Sequence, residues 1–170
     1  NGSSEFMSNV SMSIVSMLYN VQLMKYAGED GVAAYGVLMY VSMIFQAIFI
    51  GYAVGTAPII GFNYGAGENG RVKEAIRYLA AMLIIYSTVA WFIILLIPKF
   101  LIGIFTADAA LITAGVPSLH IYFFGFFLMA FMFTGQTVFV GIGKAKFAIF
   151  FSILRKGIVV IPLILLLPIW

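Results

Sequence analysis

Along most of this chain the polar residues sit in short clusters, and the apolar runs between them are long enough to cross a membrane. From Gly31 to Gly67 there is no Asp, Glu, Lys or Arg. A bilayer core of about 30 Å needs roughly 20 apolar residues in helix. This run therefore holds one full span and a glycine-rich exit through Gly61, Gly65 and Gly67, which lands on Arg71, Lys73 and Arg77. Extended in both directions, the same pattern predicts five spans, at about 9–26, 32–60, 78–98, 117–140 and 147–169. Residues 25–31 (KYAGEDG) read as a turn. Residues 100–115, interrupted by Asp108, are uncharged only in pieces too short to cross, and read as a loop or interfacial helix. Pro117 suits the first turn of the fourth span.

Within the spans the polar positions are ordered. Asn9, Ser13, Ser16 and Asn20 fall within about 60° of one another on a helical wheel at 100° per residue. Ser42, Gln46, Phe49, Ala53 and Thr56 share a face of the second span, and Met129, Phe133, Gln136 and Val140 share a face of the fourth. Two readings fit such stripes: small polar residues that glue helices together, or the lining of a wet cavity. Gly51 and Gly55 form a GxxxG pair that permits close helix approach.

Composition agrees with a membrane protein. Hydrophobic residues make up 64% of the chain and charged residues 9%, against roughly 25% charged in a soluble domain; the mean hydropathy is +1.12. Charge adds an orientation. Placing Arg71, Lys73 and Arg77 inside also brings Lys144, Lys146, Arg155 and Lys156 inside, leaving only Lys25 and Lys99 outside. An alternating five-span path then starts inside and ends outside. Arg155 and Lys156, a third of the way into the last span, must snorkel or pair within the bundle. The opening NGSSEF reads as a cloning scar over residues 1–6, with the membrane domain over 7–170, and the chain reads as cut after its fifth span.

Enzyme chemistry finds no footing. There is no cysteine, hence no thiolate site. Gly141-Ile142-Gly143-Lys144 fails the phosphate-loop template at Val138 and Ala145. His120, the only histidine, reads as an interfacial hydrogen bonder or, alternatively, as a proton relay. No metal or cofactor site and no nucleic-acid partner is expected. All six acids (Glu5, Glu29, Asp30, Glu68, Glu74, Asp108) lie outside the predicted spans, whereas ion-coupled carriers hold an acid in the membrane.

The stretch APIIGFNYGAG…RVKEAIR resembles the second half of multidrug and toxic compound extrusion (MATE) transporters. The similarity continues through SMSIVSMLYNVQLMKYAGEDGVAAYG on one side and TGQTVFVGIGKAK…LRKGIVVIPLILLLP on the other, covering nearly all of residues 8–169. The resemblance implies an all-α polytopic helix bundle, namely helices seven to eleven of a twelve-helix, two-lobe carrier in the cytoplasmic membrane. It implies export of organic, often cationic compounds through a central cavity, coupled to sodium or protons. Where branches of the family carry coupling acids in this lobe, the matching neighbourhoods here hold Ser13 and Met129, which assigns the coupling site to the missing N-terminal lobe.

On that reading Asn20, Gln46 and Gln136 face the cavity and hydrogen-bond substrate, while Tyr19 and Phe49 offer aromatic surface. Asn63 and Tyr64 shape the helix end. The expected partners are small organic cations, the coupling ion, the lipid bilayer, the other lobe and, in its absence, a second copy of the chain. A lipid-linked precursor flippase and a non-transporting membrane scaffold are the alternatives. The first calls for a larger, more cationic cavity, and the second needs no polar helix faces.

Overall fold

The computed structural model describes residues 2–144, 146, 147, 150, 154 and 160–166. In chain order it comprises α1 (Gly2–Gly65), α2 (Asn69–Leu96), α3 (Pro98–Gly103), α4 (Ala109–Tyr122), a 3-10 turn (Phe126–Leu128), α5 (Met129–Gly141) and α6 (Ile161–Leu166). No strand occurs among the described residues. Two compact units result, one of Asn1–Ala33 with Gly143–Trp170, the other Ala34–Ile142.

Four points along this helical path have a local cause. Gly28, inside the expected turn, leaves helical geometry at φ 66° and ψ −160°, so α1 is two helices joined at a kink. A side chain is strained at that φ, and glycine is not. At the end of α1, Gly67 takes φ 77°, its N–H donates to Tyr64 O (3.1 Å), and the Glu68 N–H donates to Asn63 O (2.9 Å). This is a Schellman closure, which satisfies the last carbonyls of the helix and turns the chain directly into α2. Pro98 opens α3 from its first turn. Asp108 caps α4, accepting from the N–H groups of Ala110 (2.8 Å) and Leu111 (3.3 Å).

Two boundaries differ from expectation. The third helix begins at Asn69 rather than near 78, so Arg71, Lys73 and Arg77 lie in its first turns and not in a loop. The stretch Arg71–Arg77 (RVKEAIR) contains no helix breaker and is rich in strong helix formers; the water boundary and the helix boundary are separate things. Pro117 does not start a helix but sits inside α4. The interruption comes instead at 123–125, where α4 and the following segment bend by 45°. Most of the expected fifth span, with Arg155 and Lys156, lies outside the described residues; α6 is the part of it that is described.

α1 and α2 are each long and apolar enough to cross a membrane, and α4 with 126–141 forms one bent candidate span. The protein is an all-α membrane helix bundle. The Ala34–Ile142 unit packs around Leu38, Val41, Phe49, Leu79, Leu83, Ala90, Ile94, Leu119, Phe123, Phe126 and Ala130. From α2 the buried residues are Val72, Leu79, Leu83, Ser87, Ala90 and Ile94, spaced by three, four or seven along one face. Lipid is as apolar as leucine, so association here rests on close packing and interhelical hydrogen bonds. One such bond runs from the Tyr86 hydroxyl on α2 to Phe45 O on α1, at 2.8 Å. Large apolar side chains such as Phe62, Leu96 and Ile121 remain exposed, as a lipid-facing surface allows.

Candidate functional site

The faces singled out on the second and fourth predicted spans meet each other. Phe49 of α1 and Phe133 of α5 stack with centroids 5.0 Å apart and planes 21° apart. Phe126 and Tyr86 each pack edge-on to Phe49, at 5.5 Å and 5.2 Å. Phe49 is 0% exposed. Its ring braces the Ala34–Ile142 unit from within and presents no open surface. Edge-to-face and offset contacts of this kind add about 0.5–1.5 kcal/mol each beyond area burial.

Further along the same two helices the backbones touch. A Cβ on Gly61 would lie 2.8 Å from Gly141 O, and one on Gly141 would lie 3.0 Å from Ala57 O. The GxxxG pair Gly51–Gly55 meets nothing within 4 Å. The close crossing is therefore at Gly61 and Gly141, not at the sequence motif. Because Phe49 pairs with Phe133 and Gly61 with Gly141, α1 and α5 run parallel here. Gln46 lies one turn before the Phe49–Phe133 stack and Gln136 one turn after it, so the two amides are offset by about 9 Å along the axis at 1.5 Å per residue.

Most polar side chains on these helices bond back to their own helix. Ser13 Oγ donates to Asn9 O (3.1 Å), Asn20 Nδ2 to Ser16 O (3.1 Å) and Asn63 Nδ2 to Ile59 O (2.8 Å). Gln46 Nε2 donates to Ser42 Oγ, and Thr134 and Thr137 to Ala130 O and Phe133 O (2.7 Å each). A step of four residues brings each donor over an acceptor one turn back. Gln136 makes no side-chain hydrogen bond among the described residues and is half-buried. Asn20 is exposed. Tyr19, in the other unit, lines a groove of about 310 Å³ with Gln22, Leu23, Tyr26, Val160, Leu163 and Ile164. Tyr19 and Asn20 thus belong to one unit, and Gln46, Phe49 and Gln136 to the other. His120 keeps Nε2 buried with no hydrogen-bond partner among the described residues.

A second groove, of about 430 Å³, opens along the α1–α2 hairpin. Tyr52, Thr56, Ile59 and Asn63 line it from α1, and Arg71, Glu74, Ala75, Tyr78, Leu79 and Met82 line it from α2. Sequence reasoning passed over this groove because its charged residues were placed in a loop. The helical spacing i, i+3, i+4, i+7, i+8, i+11 over 71–82 was the signal that could have found it.

A multi-span helical bundle with ordered polar faces defines a class, the polytopic membrane protein. Its family follows from comparison: the MatE family model matches residues 6–166, and the chain belongs to that family. Two similar curated proteins are both named Multidrug export protein MepA. The one from Staphylococcus saprophyticus subsp. saprophyticus is 27% identical over 161 residues, covering 94% of this chain and 35% of that protein. The one from Staphylococcus aureus (strain MRSA252) is 25% identical over 164 residues, covering 95% of this chain and 35% of that protein. The chain thus spans about a third of the length of these relatives. No solved structure matches it.

Proposed function

We propose that this chain forms part of the second lobe of a multidrug efflux antiporter that exports organic, often cationic compounds against a sodium or proton gradient. The MatE match over residues 6–166, with relatives named for multidrug export, carries the proposal. Asn20, Gln46 and Gln136 supply adaptable hydrogen bonds to substrate. Asn20 and Gln46 can exchange their local i−4 acceptors for a ligand's without leaving a group unsatisfied in between. Tyr19 supplies aromatic surface, and Phe49 holds the wall behind Gln46 in place. The coupling ion binds on the other lobe, and alternating access needs two bundles moving about a shared site.

The test uses the purified chain in proteoliposomes with a fluorescent aromatic cation. The expected result is saturable binding, weakened about threefold to tenfold by Asn20→Ala or Gln46→Ala, with no uptake under a sodium or proton gradient. Gradient-driven uptake by the chain alone would overturn the two-lobe reading. Binding unaffected by either substitution would overturn the residue assignment.

A further inference from the structure

The hairpin groove has a defined length, a charged end and an open side. Its α1 face (Tyr52, Thr56, Ile59, Asn63) and its α2 face (Arg71 to Met82) run antiparallel from the Schellman turn, so Asn63 stands level with Arg71 and Tyr52 with Met82. Eleven residues of helix extend about 16 Å, roughly half of a 30 Å hydrocarbon core. The groove is therefore one leaflet deep. Its hairpin end carries the charge, with Asn63, Arg71 and Glu74, and its far end is mainly apolar, with Leu79, Met82 and the ring of Tyr52. Ile59, Tyr78 and Met82 are exposed along it. Polar at one end and apolar along one leaflet is the outline of a single membrane lipid.

The charges at the head end narrow the class. Arg71 and Glu74 lie one turn apart on the same face, with Cβ atoms about 5–6 Å apart. Neither forms an ion pair among the described residues. A guanidinium binds phosphate through charge-assisted hydrogen bonds, and a carboxylate accepts from a primary ammonium. Phosphoethanolamine carries both groups on a two-carbon spacer. A phosphoglycerol head offers Glu74 no cation, and a choline head has no N–H to donate to it. An aromatic organic cation would meet the Arg71 charge beside Glu74 at the charged end of the groove. We propose that the groove between residues 52–63 of α1 and 71–82 of α2 binds one phosphatidylethanolamine molecule, phosphate on Arg71, ammonium on Glu74, and an acyl chain along Ile59, Leu79 and Met82. The assignment stands apart from the transport reading.

Native mass spectrometry of the purified chain tests it, with ethanolamine, choline and glycerol phospholipids of identical acyl chains. The ethanolamine lipid should bind about tenfold tighter than the other two, which is about 1.4 kcal/mol. Glu74→Gln should remove that preference and leave the glycerol lipid unaffected or improved. Arg71→Gln should weaken all three, and Met82→Trp, which fills the apolar end, should do the same with the head-end charges intact. Circular dichroism confirms that each variant folds. Equal binding of the three lipids overturns the proposal, as does an ethanolamine preference that survives Glu74→Gln. Displacement of the bound lipid by a fluorescent aromatic cation would assign the groove to substrate, and a lipid-free dimer would assign it to a second copy; either overturns the proposal.

Discussion

Gly61 and Gly141 stand so close that a Cβ added to the first would come within 2.8 Å of the carbonyl oxygen of the second. The obstacle is backbone and cannot swing aside as a side chain would. Gly61→Val or Gly141→Val must push α1 and α5 apart, and overpacking of this kind costs about 1–3 kcal/mol. A matching fall in the thermal midpoint of the detergent-solubilised chain is expected. Gly51→Val and Gly55→Val, with open space around them, should leave it within the error of measurement.

Tyr86→Phe removes the interhelical bond to Phe45 O and keeps the ring against Phe49. Hydrogen bonds between membrane helices measure about 0.6 kcal/mol on average and reach about 1.7. A loss in that range is expected, read by unfolding in mixed detergent. Phe49→Ala, which empties the centre of the ring cluster, should cost more, about 3–5 kcal/mol.

How much of this was legible in the sequence can be judged from these positions. The faces carrying Phe49 and Phe133 followed from 3.6-residue periodicity, because the period sets which side chains share a side. That the two faces pack on each other could not follow, because periodicity says nothing about which helix opposes which. For the same reason GxxxG pointed to Gly51 and Gly55, while the crossing uses glycines eighty residues apart. α2 starts at Asn69, ahead of the expected span, because the last charge marks where a helix meets water and not where it begins. The bend at 123–125 falls at no proline, while Pro117 lies inside α4 without ending it, as membrane helices tolerate. Of the candidate site residues, Phe49 is fully buried, a placement that its helix face alone does not predict.

The cap of α4 gives a third prediction. Asp108→Ala strips the acceptor from the N–H groups of Ala110 and Leu111 and should cost about 0.5–2 kcal/mol. Asp108→Asn, which retains an acceptor, should recover most of it. Hydrogen exchange at the first turn of α4 is the measurement.

Orientation is open to direct labelling, since the chain has no cysteine. Glu68→Cys at the hairpin should react only from the cytoplasmic side, and Ala107→Cys, which spares the Asp108 cap, only from the outside. Labelling of both from one side would reverse the reading of the α1–α2 hairpin and its basic residues.

The i−4 hydrogen bonds along α1 and α5 bear on how the protein is made. A polar side chain entering lipid unpaired is costly, and a helix that depends on a neighbour for its pairing must wait for that neighbour. Asn20, Gln46, Asn63 and Thr137 carry their own acceptors one turn away. These four side chains therefore need no neighbouring helix when they enter the bilayer, and the glycine crossing and aromatic cluster can form afterwards.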